Sequence, residues 1–89
     1  MIKPTIGRVV WFWRNSAEPE SQPQAALICW VHSDTNVNLA VFDANGNAGG
    51  RTSVILHQGD GARPSGNFCE WMPYQIGQAA KEIPPAELT

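Results

Sequence analysis

No run of basic residues occurs anywhere in this 89-residue chain. Lys3, Arg8, Arg14, Arg51, Arg63 and Lys81 stand singly against eight acidic residues, giving a net charge of −2. Nucleic-acid binders draw most of their affinity from phosphate neutralisation, so a long nucleic acid is not an expected partner; a small nucleotide needs only one or two arginines. Long apolar runs are also missing. The longest is "AALICWV" at Ala25–Val31, far short of the ~18 residues of a membrane span. The start, "MIKPTIGR", lacks the apolar core of a secretory signal. Together these absences predict a cytoplasmic protein with no membrane partner. Only two cysteines occur, Cys29 and Cys69, and in a reducing compartment they are expected to be buried thiols that pack as small hydrophobes.

Chemical motifs are equally scarce. Cys29 and His32 form a C-x-x-H pair, but residues three apart on a strand point to opposite faces, so no metal site is expected. "NGNAGG" at Asn45–Gly50 lacks the lysine and following helix of a phosphate-binding loop. No nucleophile, base and orienting group stand at a catalytic spacing. His32 and His57 would be the acid and base of a phosphodiesterase; the plainer reading makes both half-exposed strand residues. No cofactor is expected, and the chain reads as a non-enzyme.

Hydrophobic residues make up 43% of the chain and charged ones 16%, a balance that predicts a folded domain spanning 1–89. So little charge also favours a self-associating surface, hence a homo-oligomer. Strand signals fill the first two thirds. "IGRVVWFW" at Ile6–Trp13 is β-branched and aromatic, with Gly7, Val9, Trp11 and Trp13 on one face and Ile6, Arg8, Val10 and Phe12 on the other. After a polar connector, Arg14–Gln24, a second strand sets Leu27, Cys29 and Val31 against Ala26, Ile28, Trp30 and His32. A turn at Ser33–Asn36 leads to a third strand with Val37, Leu39 and Val41 inward. Asn45-Gly46 then marks a hairpin turn with a positive φ.

The fourth strand, Arg51–Gln58, turns Val54 and Leu56 inward, and Phe68–Trp71 forms a short fifth after the loop Gly59–Asn67. Pro73 suits the first position of a helix, and Ile76, Ala79, Ala80 and Ile83 make a stripe that predicts a docked amphipathic helix ended by Pro84-Pro85, with a tail at Ala86–Thr89. The expected fold is mainly β, a small SH3-like antiparallel barrel of about five strands with a short C-terminal helix. An OB-like barrel is the alternative.

Aromatics are the surplus. Trp11, Trp13, Trp30 and Trp71 stand with Phe12, Phe42, Phe68 and Tyr74 in a chain whose barrel encloses about two indoles. The remainder is expected at a subunit interface or a ligand pocket, where stacking on a base is worth ~1–3 kcal/mol per ring. The candidate set is Trp11, Trp30, Trp71 and Tyr74 as walls, Arg8 and Arg51 toward phosphate, and Asn38 and Gln75 as orienting donors and acceptors. For Arg8, an edge gatekeeper and a rim ion pair are the competing roles.

"KPTIGRVVWFW" at Lys3–Trp13, "VNLAVFDANGN" at Val37–Asn47, "RTSV" at Arg51–Val54 and "WMPYQIGQAAK" at Trp71–Lys81 together resemble a family of small proteins encoded by tailed phages and prophages. The resemblance spans nearly the whole chain and varies in the Arg14–Gln24 and Gly59–Asn67 loops. It implies an infected bacterial cytoplasm, where small accessory proteins counter host defence. One type is the sponge, an oligomer that sequesters nucleotide immune signals such as cyclic ADP-ribose derivatives or cyclic dinucleotides. This chain has a sponge's traits: small size, near-neutral acidity, surplus aromatics and isolated arginines. The alternatives are a module that grips and inhibits a host protein, and a phosphodiesterase that cleaves the signal.

Overall fold

The computed structural model describes residues 1–14, 22–59 and 61–81. Five strands, β1 (Val9–Trp13), β2 (Gln24–Ser33), β3 (Asn36–Phe42), β4 (Ala48–His57) and β5 (Phe68–Glu70), precede one helix, α1 (Pro73–Lys81). The strands close into a barrel in consecutive order, with β5 returning to β1. This is the small β-barrel with a short C-terminal helix that the strand and turn signals predict, and its consecutive order is not the Greek-key order of an OB barrel. One pairing departs from the antiparallel expectation: β4 and β5 run parallel, with Ile55 opposite Phe68 and His57 opposite Glu70. Parallel neighbours cannot be joined by a tight hairpin, so the turn that a β4–β5 antiparallel pair would need is excluded.

Alternation sets the core. Val10 and Phe12 of β1, Val37, Leu39 and Val41 of β3, and Val54 and Leu56 of β4 point inward beside Ala26 and Ile28 of β2 and Cys69 of β5. Truncating one of the larger of these costs ~2–5 kcal/mol. The first strand begins later than its β-rich sequence predicts. Thr5–Arg8 is a turn, closed by the Arg8 N–H donating to the Thr5 carbonyl (3.3 Å), with Gly7 at φ 96° in the third position, where only glycine is unstrained. The N-terminal segment is then stapled by Gln58, whose side-chain oxygen accepts from the Ile2 N–H (2.8 Å) and whose amide donates to the Ile2 carbonyl (2.9 Å).

β2 does not keep one phase. Register shifts fall between Ile28 and Trp30 and between Val31 and Ser33, each giving β2 one more residue than β3. The first takes Trp30 off the face that Ala26 and Ile28 share, and Val31 packs against the core instead. Cys29, expected to be buried, is therefore exposed; only Cys69 is a core thiol.

Trp71 closes the barrel end at 3% exposure. Of the stripe predicted to dock the helix behind it, only Ile76 has a described side chain. Ile76, the first residue of the predicted docking stripe, is 55% exposed. Gln75 makes the attachment: its side-chain oxygen accepts from the Met72 N–H and its amide donates to the Val9 carbonyl, both at 2.8 Å. The side chains of Ala79 and Ala80, and all of Ile83, Pro84-Pro85 and the tail Ala86–Thr89, lie outside the described residues, as do 15–21 of the connector.

Candidate functional site

The β3–β4 hairpin builds the rim at one end of the barrel. Asp43 organises its turn: the carboxylate accepts from the backbone N–H groups of Asn45 and Asn47, both at 2.9 Å, while the Gly46 N–H donates to the Asp43 carbonyl. Gly46 sits at φ 85°, the glycine position of a type I turn with a bulge. Hydrogen bonds from the Asn47 backbone, above all, hold the Asp43 carboxyl below its ordinary range. Its charge is thus committed to the turn.

Two adjoining hollows open at this rim and share Arg14, Gln24 and Asp43. One, of about 310 Å³, continues along Val41, Gly49 and Arg51. The other, of about 350 Å³, continues along Pro23, Ala25 and Phe42. Gly49 takes the inward phase opposite Val41 and has open space where a side chain would stand, so the barrel mouth is unfilled there. Arg51 shares that phase opposite Leu39, and its guanidinium lies 6.0 Å from the centre of the Phe12 ring. Two guanidinium side chains, the three amides of Gln22, Gln24 and Asn47, the Asp43 carboxylate and the Phe42 ring line the rim. Arg14, Gln24 and Asn47 fall outside the candidate set that the sequence suggests, and Phe42 figures there only among the surplus aromatics. Arg14 and Arg51 are far apart along the chain, and only barrel closure makes them neighbours.

At the other end, irregular pairing meets on Asn38. Its side-chain oxygen accepts from the Ser53 N–H (2.8 Å) and lies 2.9 Å from His32 Nε2. Because the backbone N–H fixes that oxygen as the acceptor, Nε2 of His32 carries the proton. Ser53 has φ 53°, uncommon for a residue with a side chain, and it falls at the shift where β4 has two residues against Asn38 alone. Trp30 is the β2 partner of Asn38 and is 56% exposed. Two predicted ligand residues thus stand side by side.

The other predicted residues lie elsewhere. Arg8 stacks on Trp71 (5.9 Å to the ring centre). Trp71 was expected to point out as a wall; it points inward to fill the barrel end, and its indole N–H has no partner. Gln75 is committed to the Met72 N–H and Val9 carbonyl, while Tyr74 beside it is 72% exposed. Trp11 lies half-buried on the outside of β1, opposite Ala25 and Glu70. Six of the eight predicted residues therefore stand in three pairs at different places, and Trp11 and Arg51 stand apart from them and from each other.

Trp13 is a structural lock: its indole N–H donates to Glu70 (2.6 Å), Arg63 pairs with the same carboxylate (2.9 Å), and that guanidinium stacks on the Trp13 and Phe68 rings. His57 sets its ring edge-on to Phe68, whereas His32 is engaged with Asn38. Among the described residues no three His, Cys, Asp or Glu side chains come together as a metal site, and no helix is long and apolar enough to cross a membrane.

The outer surface of β1–β4 carries no charge along two rows. Trp11 faces Ala25, and beyond them Phe42 faces Ala48; one step along the strands Val9 faces Leu27, which faces Ala40, which faces Gly50. Val9 remains 40% exposed. No protein-family profile, curated protein or solved structure matches the chain.

Proposed function

We propose that this chain is a non-catalytic capture protein: a phage-encoded homo-oligomer that holds a small nucleotide immune signal, a cyclic ADP-ribose derivative or a cyclic dinucleotide, in the host cytoplasm. The observation that carries the reading is the rim, where Arg14 and Arg51 border hollows of about 310 and 350 Å³, at the lower end of small-molecule sites. Guanidinium groups match phosphate oxygens in charge and geometry. Gln24 and Asn47 add neutral donors and acceptors suited to ribose hydroxyls. Sequestration requires affinity alone, and the reading assigns no residue to bond cleavage.

Calorimetric titration with cyclic dinucleotides and ADP-ribose derivatives tests the reading. Saturable heat is expected, with binding at least about tenfold weaker in Arg51→Ala, the loss of a charged hydrogen bond. Absence of heat across the panel at millimolar ligand sinks it. The second reading, a module that inhibits a host protein, rests on the uncharged outer face with Trp11 and Phe42. A stoichiometric host partner retained from lysate, and lost in Trp11→Ala, would favour that reading over capture.

A further inference from the structure

Gly49 and Gly50 stand side by side in β4, and the backbone requires neither. Neither has a positive φ, and a Cβ placed on either meets no atom within 4 Å. Glycine inside a strand weakens it and often marks a place where a ligand comes close to the backbone. The two differ in what their missing side chains leave open. Gly50 faces Ala40 on the outer side and lines neither hollow, whereas Gly49 faces Val41 on the inward phase and lines the hollow of about 310 Å³. Arg51 follows on that inward phase, and Gln24 borders the same hollow from β2, opposite Phe12. The Arg51 guanidinium donates to the Gly50 carbonyl (3.3 Å), lies 6.0 Å from the centre of the Phe12 ring and has no carboxylate at ion-pair distance among the described residues.

We propose that the barrel mouth beside Gly49 takes one singly charged phosphodiester of the ligand, with Arg51 as the group that meets it and the missing Gly49 side chain as its opening. The ligand class rests on the capture reading. One negative charge is the match. Arg14 lines the same hollow but is already engaged within the chain, so Arg51 is the guanidinium left to meet an anion. Asp43 lines the hollow too, and its carboxylate is held by the backbone N–H groups of Asn45 and Asn47. A second negative charge at this mouth is therefore repelled. A phosphodiester carries one charge, whereas a terminal phosphate carries nearly two at neutral pH. Val41 gives the attached sugar an apolar wall, and Gln24 and Asn47 give it amide partners. A side chain at position 49 would fill the opening without strain, so its absence decides what enters.

Calorimetric titration with 3′,5′-cyclic adenosine monophosphate, a single phosphodiester, and with adenosine 5′-monophosphate, the matching monoester, tests the assignment. Wild-type protein is expected to bind the diester about fivefold more tightly, the effect of one further like charge near the carboxylate across water. Gly49→Ile, whose β-branched side chain suits a strand, is expected to weaken diester binding at least about tenfold, as the phosphate loses its charged hydrogen bond. Gly50→Ile is expected to bind as wild type does. Both are checked for folding by circular dichroism, and Gly49→Ala, which adds one methyl group, is expected to lose binding severalfold and carries the test should the larger variant not fold. Wild-type binding by the Gly49 variants, an equal loss in Gly50→Ile, a monoester bound as tightly as the diester, or no diester binding by wild-type protein overturns the assignment. Capture is judged separately, by the cyclic dinucleotide and ADP-ribose panel. Panel binding that is indifferent to Gly49→Ile leaves capture standing and removes only the mouth; a panel without heat, beside diester binding that Gly49→Ile abolishes, removes capture and keeps the mouth.

Discussion

At the scale of single residues, the two cysteines make the sharpest contrast. Cys29 is exposed on a shifted strand, whereas burial pushes the Cys69 thiol from 9.0 up to about 12. A thiol-labelling reagent should modify Cys29 at once and Cys69 only on unfolding. Because the folded value is raised, the contribution of Cys69 to stability is complete below pH 9.0 and falls as pH climbs toward about 12. Asp43 has the opposite sign. Its lowered pKa stabilises the hairpin above the ordinary 3.8, and that contribution disappears as pH falls through the lower folded value. Asp43→Asn should therefore flatten the acid limb of a stability–pH curve measured by denaturant titration. Asn38→Ala leaves the Ser53 N–H without its acceptor and should cost about 1–2 kcal/mol, while Ser53→Gly relieves the backbone and should be neutral or stabilising.

Among the elements, β3 and β2 show what was readable and what was not. The alternation of Val37, Leu39 and Val41 and the Asn45-Gly46 turn are local properties, and both stand where the sequence places them. The extra residues in β2 depend on what β3 places opposite, so the exposure of Cys29 and Trp30 was not legible from their own segment. Trp71 failed as a wall for a related reason. The proline corner after it is a local signal, but the vacancy it fills is created by five strands closing. Trp71→Phe should be far milder than Trp71→Ala, which should cost ~3–5 kcal/mol, because phenylalanine keeps a ring in the core and removes the unpartnered N–H. The helix starts at Pro73 as predicted, and Gln75 supplies an attachment that the apolar stripe does not include: Gln75→Ala should release α1, read as faster amide exchange across 74–81 with the barrel amides unchanged.

For the molecule as a whole, barrel closure creates neighbours that sequence distance conceals. It brings Arg14 beside Arg51 and Gln24, and leaves uncharged strand surface between that rim and the exposed Trp30. The aromatic surplus signalled an interface or a pocket without dividing the rings between them. The structure divides them: Trp71 fills the core, Trp13 locks to Glu70, and Trp11 and Trp30 remain on the outside. Capture without cleavage is tested most directly by incubating the protein with a cyclic dinucleotide and a cyclic ADP-ribose derivative, removing free ligand, denaturing the protein and identifying what is released by mass spectrometry. At least one of them is expected to be released chemically intact and in stoichiometric amount; recovery of a cleaved product, or of no nucleotide at all, would contradict capture.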